Sequence, residues 1–402
     1  MIAKIQNGLF RSTFKTIIKL MPPPRPLVFE GLDSINKLCE HIHNSGIKTL
    51  LVVTSPEIVE LGLLKLTLQS LSELGVKHHV YTDIPPNSPI SSVKKGIEFY
   101  HSRHCESILA FGGGSVIDAA KAMVLQIGSG KPIEKLVGLF KGRRAIPFFV
   151  VPTTAGTGSE ITSIAVVTRD KTHEKVFIVD HKALPLAVAL TAEPMLGLPP
   201  HITADTGMDA LTHAIEAYVS KINSPSSMQD AEQAIQIIFK HLEPVFQDGR
   251  NAKARSQMAK ASYLAGDAFN RLGLGFAHAI SHQLTAMYGV PHGRANAIVL
   301  PRVLKASMPK VSPSLAKLAR LIGESRDASS EEALAHLFIS RIEHLSASLQ
   351  IPRGLPEILD TDIPRIARRA HKEAIWNYPV AKLLSVMECR KILKEIQNAT
   401  TP

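Results

Sequence analysis

An α/β domain built on a parallel sheet, followed by an all-helical domain, is the architecture that this 402-residue sequence predicts. Two observations carry that expectation. Up to about residue 195, short β-rich runs alternate with helical stretches, and strand, crossover helix, strand is the recipe for a parallel sheet covered on both faces. Beyond Leu198-Pro-Pro200, segments rich in Ala, Leu, Ile and Lys run at helical length to the end, with few β-branched clusters. A hydrophobic content of 45% supplies a core for each domain.

Taken in order, the sequence opens with an amphipathic extension over residues 1–24, in which Lys4, Arg11, Lys15 and Lys19 appear and no acidic residue does. Wound as a helix, it puts Phe10, Phe14, Ile17 and Ile18 on one arc and the cations on a neighbouring one, and Pro22-Pro-Pro24 ends it. Three readings fit: a segment packed on the body or on a sister subunit, a weak membrane-surface anchor through residues 1–21, or a targeting segment. The α/β domain spans 25–195, with strands expected at Thr49–Thr54, His79–Thr82, Ser107–Phe111, Pro147–Val151 and Ile164–Thr168, and helices such as Leu32–Ser45 and Ile90–Ser102 between the early ones. The helical domain spans 196–402.

Composition excludes several classes. The net charge of +11 is dispersed and aromatics make up only 5%, so a nucleic-acid binder that neutralises phosphates and stacks bases is disfavoured; attraction for anionic cofactors or lipid is the milder reading. Cys39, Cys105 and Cys389 are scattered and never form a Cys-x-x-Cys pair, which supports neither a disulfide framework nor a thiolate metal site and fits a reducing cytoplasm. No apolar run approaches the roughly twenty residues of a membrane span.

Chemistry is concentrated in three places. The expected strand at Ser107–Phe111 runs into Gly112-Gly-Gly-Ser115 and then a helix from Val116 through Asp118 and Lys121. Glycines at such a turn admit close approach of a ligand, and the new helix offers unpaired N–H groups and a positive dipole end to a pyrophosphate. A second strand, Phe148–Val151, runs into Pro152-Thr-Thr-Ala-Gly-Thr-Gly-Ser-Glu160, whose hydroxyls and amides suit phosphate, ribose or nicotinamide oxygens. Two such loops point to an extended nucleotide at the carboxyl ends of a parallel sheet. The third place is the pair of helical spacings Asp209/His213 and His278/His282, with His292 following in Pro-His-Gly. Residues four apart share a helix face, so these nitrogens and the carboxylate can be aimed at one divalent cation.

Together, Gly112-Gly-Gly-Ser-Val-Ile-Asp-Ala-Ala-Lys121, the 152–160 segment, Gly207-Met-Asp-Ala-Leu-Thr-His-Ala-Ile-Glu216 and the His278, His282, Pro291-His-Gly293 segment resemble the iron-containing (group III) alcohol dehydrogenases. The resemblance, from about Arg25 to the C-terminus, implies a Rossmann-like first domain, an all-helical second domain (the dehydroquinate synthase-like fold) and an active site in the cleft between them. It implies Asp209, His213, His278 and His292 as metal ligands and His282 as a catalytic histidine near nicotinamide and substrate. It places Gly113, Gly114, Ser115 and Asp118 on the pyrophosphate, Thr153, Thr154 and Thr157 in the second cofactor loop, Asn87 near the adenosine and Lys175 on the nicotinamide ribose. The activity implied is hydride transfer between NAD or NADP and a primary alcohol or its aldehyde, with Fe(II), or Zn(II), polarising the substrate oxygen in a homo-oligomeric enzyme.

The sequence also departs from the family pattern. Ser55 stands where NAD-preferring members often carry an acidic residue, so NADP is expected to be tolerated, with Glu57 a possible substitute. Thr191-Ala-Glu-Pro194 and Asn377-Tyr-Pro379 replace the usual Asp-Pro and Asn-Pro. Two alternatives remain at this point: a zinc-dependent polyol dehydrogenase of the glycerol type, and a non-catalytic metal-stabilised or membrane-associated binding protein.

Overall fold

A computed structural model of the chain describes residues 23–399 apart from 173, 223 and 325–329; the amphipathic helix expected within residues 1–21 therefore lies outside the described residues. Contacts divide the chain at Gly197 and Leu198 into two compact units.

The first unit contains β1 (Leu27–Glu30), α1 (Ser34–Asn44), β2 (Thr49–Val53), α2 (Pro56–Glu60), α3 (Lys65–Glu73), β3 (Lys77–Tyr81), α4 (Ile90–Ser102), β4 (Ser107–Gly112), α5 (Gly114–Ser129), α6 (Ile133–Leu136), β5 (Gly138–Leu139), β6 (Phe148–Pro152), β7 (Ile164–Thr168), β8 (Lys175–Val179) and β9 (Ala187–Leu190). Six strands form a fully parallel sheet in the order β1-β9-β6-β4-β2-β3. The inner strands β4, β6 and β9 are buried along their whole length, which is why Ser-Ile-Leu-Ala-Phe-Gly, Phe-Phe-Val-Val-Pro and Ala-Val-Ala-Leu read as near-continuous apolar runs rather than as alternating ones. One core layer joins Leu50, Val52, Leu109, Phe111, Phe149 and Val151 to Leu38, Ile42 and Leu71 of the covering helices.

Several features differ from the sequence expectation, among them β5 and β8, which stand where no strand is expected. Strands β1 and β9, which pair with each other and extend the sheet beyond β6, were not anticipated, because a four-residue run carries too little periodicity to stand out. The strand expected at Ile164–Thr168 is present, yet it lies in a second, three-stranded sheet ordered β5-β8-β7, antiparallel to β8. Only six residues separate β7 from β8, and a short link permits antiparallel pairing, whereas parallel pairing needs a crossover.

The second unit contains α7 (Pro200–Tyr218), α8 (Pro225–Gln247), α9 (Ala252–Leu272), α10 (Phe276–Tyr288), α11 (His292–Leu321), α12 (Glu331–Ser348), α13 (Ile363–Asn377) and α14 (Val386–Asn398). Helix α7 is buried almost all round and packs against α8, α9 and α11. Its small residues make this possible: a Cβ on Gly207 would lie 2.3 Å from Leu242 Cδ1 of α8. Among the described residues, no helix is long and apolar enough to cross a membrane.

Candidate active site

Within the first unit, the expected cofactor residues gather at the carboxyl ends of adjacent parallel strands: Ser55 after β2, Asn87 after β3, Gly113 to Ser115 after β4, and Thr153 to Thr157 after β6. That edge is where open α/β sheets receive ligands. The two loops are built as one object. The Thr153 N–H donates to the Gly112 carbonyl at 3.0 Å. A Cβ on Gly113 would meet Thr154 at 3.3 Å, and one on Gly114 would meet Thr157 at 2.7 Å, so the glycines are needed for the hydroxyl loop to lie against the helix start. The Asn87-Ser88 turn has left-handed backbone at both residues (φ 66° and 46°) and is tied down by Ser115, whose Oγ accepts from the Asn87 N–H at 3.2 Å, and by Thr168, whose hydroxyl donates to the Asn87 carbonyl at 2.6 Å. Ser55 occupies the position before α2, ahead of Pro56, and its hydroxyl holds the exposed Glu57 carboxyl below its ordinary value.

Asp118, one turn into α5, is held by the loop that follows β6 and by β7. Its carboxylate accepts from the Ser159 hydroxyl and, at 3.0 Å, from the Val166 N–H, with Lys121 Nζ at 3.8 Å. Lys121 is wholly buried and donates to Ser159 Oγ, Thr162 Oγ1 and the Ile164 carbonyl at 3.0, 3.1 and 2.7 Å; burial lowers its ammonium to about 8. Lys175, at the start of β8, is near enough to favour the ionised form of Asp118.

In the second unit, α7 brings Asp209 and His213, α10 brings His278 and His282, and α11 begins at His292. Gly293 allows the close approach of α11 to α7: a Cβ there would fall 1.9 Å from the Asp205 carbonyl oxygen. One ligand atom from each of Asp209, His278 and His292 lies within 4.8 Å of the others. These three atoms converge on the side-chain nitrogen of Asn296, at 2.7 Å from Asp209 Oδ1, 3.1 Å from His278 Nε2 and 3.2 Å from His292 Nε2. An amide nitrogen has two hydrogens and cannot satisfy three acceptors. The donor set is that of a site for a borderline divalent cation, and these residues fit one. His213 stands one step back: its Nε2 is 4.0 Å from Asp209 Oδ1, and its ring stacks between Phe269 and His278 at 4.3 and 4.6 Å.

Three residues of the site went unrecognised in the sequence. Asn296 lies one helical turn after His292. Glu216 lies seven residues, or two turns, after Asp209 on α7 and is buried; its carboxylate accepts from the N–H groups of Gly275 and Ala277 and from His278 Nδ1 at 2.8, 2.7 and 2.7 Å. That bond turns His278 Nε2 toward the cluster. Burial pushes the Glu216 carboxyl up to about 7, and burial followed by neighbouring imidazoles holds His278 far below its ordinary value, in the neutral form that can ligate. The third, Glu373, comes from α13 and accepts from His282 Nδ1 at 2.6 Å. No sequence signal links residues 91 positions apart. The His282 ring stacks on His292 at 5.0 Å.

Two family models cover most of the chain: iron-containing alcohol dehydrogenase over residues 24–191, and the C-terminal part of the Fe-containing alcohol dehydrogenase family over residues 203–396. The chain belongs to the iron-containing alcohol dehydrogenase family. It is 36% identical to alcohol dehydrogenase 4 of Saccharomyces cerevisiae over 336 residues, covering 83% of this chain and 86% of that protein. It is 37% identical to the 1,3-propanediol dehydrogenase of Citrobacter freundii over 350 residues, covering 86% and 90%. An alcohol dehydrogenase structure from Oenococcus oeni matches with a TM-score of 0.89 at 34% identity, over 92% of this chain and 98% of that one. The enzyme is thus an NAD(P)-dependent alcohol oxidoreductase acting on an alcohol or aldehyde, with a metal site, and neither the zinc polyol nor the non-catalytic reading is retained.

Proposed function

We propose that Asp209, His213, His278 and His292 hold the catalytic cation, iron by family, and that His282 handles the proton of the substrate hydroxyl. The convergence of three ligand atoms on a single nitrogen position, at 2.7 to 3.2 Å, carries this reading. A bound cation supplies Lewis-acid polarisation of the substrate oxygen. The protein's own residues do the rest: Glu216 orients His278, α7 and α11 set the ligand spacing, and the loops after β4 and β6 receive the dinucleotide through Gly113, Gly114, Ser115, Thr153, Thr154 and Thr157. Asn87 serves the adenosine side and Lys175 the nicotinamide ribose. Asp118 acts by bracing the second loop. His278→Ala is expected to abolish turnover and metal retention together while leaving dinucleotide affinity within about threefold, because ligands and cofactor loops belong to different units; turnover by metal-free His278→Ala protein overturns the assignment.

Ser55, which places no carboxylate at the end of β2, supports use of NADP as well as NAD. Comparing kcat/KM for the two cofactors tests this, and a preference for NAD above about a hundredfold refutes it. A primary alcohol or aldehyde substrate, a homo-oligomeric state, a cytoplasmic location consistent with the three buried free cysteines, and a weak membrane contact through residues 1–21 complete the reading. Deleting residues 1–21 should reduce partitioning onto anionic vesicles without changing kcat.

A further inference from the structure

The carboxylate of Glu373 is surrounded by donors from three directions. His282 Nδ1 lies 2.6 Å from Oε1, the Tyr378 hydroxyl donates to the same oxygen at 2.8 Å, and Gln283 Nε2 donates to Oε2 at 3.0 Å. Helix α13 packs against α10, and the His282 and Glu373 side chains are each only 14% exposed, so the pair is sheltered without being sealed. Tyr378 lies between Asn377 and Pro379. Burial first, and then the Glu373 charge, raise its hydroxyl well above the ordinary phenol value, so it stays protonated and remains a donor. Two neutral donors therefore fix the carboxylate, and the carboxylate in turn fixes the imidazole.

We propose that Glu373, anchored by Tyr378 and Gln283, is a positioning residue that holds His282 as the Nδ1–H tautomer with its ring stacked on His292. A neutral imidazole bonded through Nδ1–H carries its lone pair on Nε2. The ring cannot rotate about its own axis without giving up a charge-assisted hydrogen bond, and charge-assisted bonds are the stronger class. The inference rests on the reading of His282 as the residue that handles the substrate proton; it adds which nitrogen does so and which carboxylate enforces the choice.

Ring 15N spectra of histidine-labelled, metal-free protein, assigned with His282→Ala, should show His282 protonated at Nδ1; the Nε2–H tautomer in the parent protein overturns the proposal even if no Glu373 variant folds. In metal-loaded protein, Glu373→Leu should lower kcat about 10- to 100-fold, the usual cost of losing such an orienting partner, with KM and bound metal within about threefold and with partial recovery in Glu373→Asp. In a His282→Ala background the same Glu373→Leu change should cost nothing further. A loss that multiplies in the double variant shows a general structural role and overturns the positioning role. So does parental kcat in Glu373→Leu beside a depressed kcat in His282→Ala. Parental kcat in His282→Ala instead overturns the proton-handling reading itself, an outcome distinct from the others.

Discussion

At the residue scale, the metal site shows how much of a ligand's behaviour is set by what stands behind it. His278 can ligate because Glu216 takes its Nδ1–H at 2.7 Å and burial keeps the ring neutral. Glu216 can do this because position 275 is glycine: a Cβ there would sit 2.5 Å from Glu216 Oε1. Glu216→Gln keeps the volume but loses the anionic acceptor, and metal affinity, measured by competition with a chelating dye, should fall about 10- to 100-fold. Gly275→Ala should produce a similar loss by displacing the carboxylate, with dinucleotide binding unchanged.

At the scale of elements, two contacts decide whether the sites form. The α7–α11 approach depends on Gly293, where an added methyl would meet the Asp205 carbonyl at 1.9 Å. Gly293→Ala therefore forces the helices apart; a cost of at least about 1 to 3 kcal/mol, as for overpacking in general, should appear as a lower Tm together with weakened metal retention. In the first unit, the loop after β6 is fastened to α5 by Lys121, Asp118 and Ser159, beside the buried Glu160, whose carboxyl burial pushes up to about 7. Because that value is raised above the ordinary 4.5, the folded protein holds the Glu160 proton more tightly than the unfolded chain does. The contribution to stability is complete below about pH 4.5 and is lost as pH rises through about 7. Glu160→Gln, which cannot ionise, should match the parent's Tm near pH 4.5 and exceed it increasingly up to about pH 8. A Tm difference that shrinks over this range contradicts the assignment.

At the scale of the molecule, all the proposed metal ligands belong to the second unit and all the proposed cofactor contacts to the first. A cation that binds only the folded state stabilises it by about 2.7 kcal/mol at a free concentration one hundred times its Kd. Chelation should therefore raise amide hydrogen exchange in α7, α10 and α11 and leave the β4 and β6 strands of the parallel sheet as protected as before. Equal loss of protection in both units excludes a metal contribution confined to the second.

Much of this was legible from spacing alone. A strand, glycine turn and helix at 107–121 and a strand and hydroxyl-rich loop at 148–160 give the expectation of a nucleotide edge, because a buried parallel strand must be apolar throughout and a ligand-binding turn must be small or hydroxylic. The i, i+4 pairs at 209/213 and 278/282 point to the helices of the candidate metal site, because helical twist ties that spacing to one face. Spacing carries no information about groups that meet only when distant helices pack. Asn296 entering among three proposed ligands, Glu216 reaching across to Gly275 and His278, and Glu373 reaching His282 from α13 were settled by tertiary structure. So was the placement of Ile164–Thr168 in a second sheet, since strand identity follows from local pattern while the choice of partner depends on where the connecting chain allows it to go.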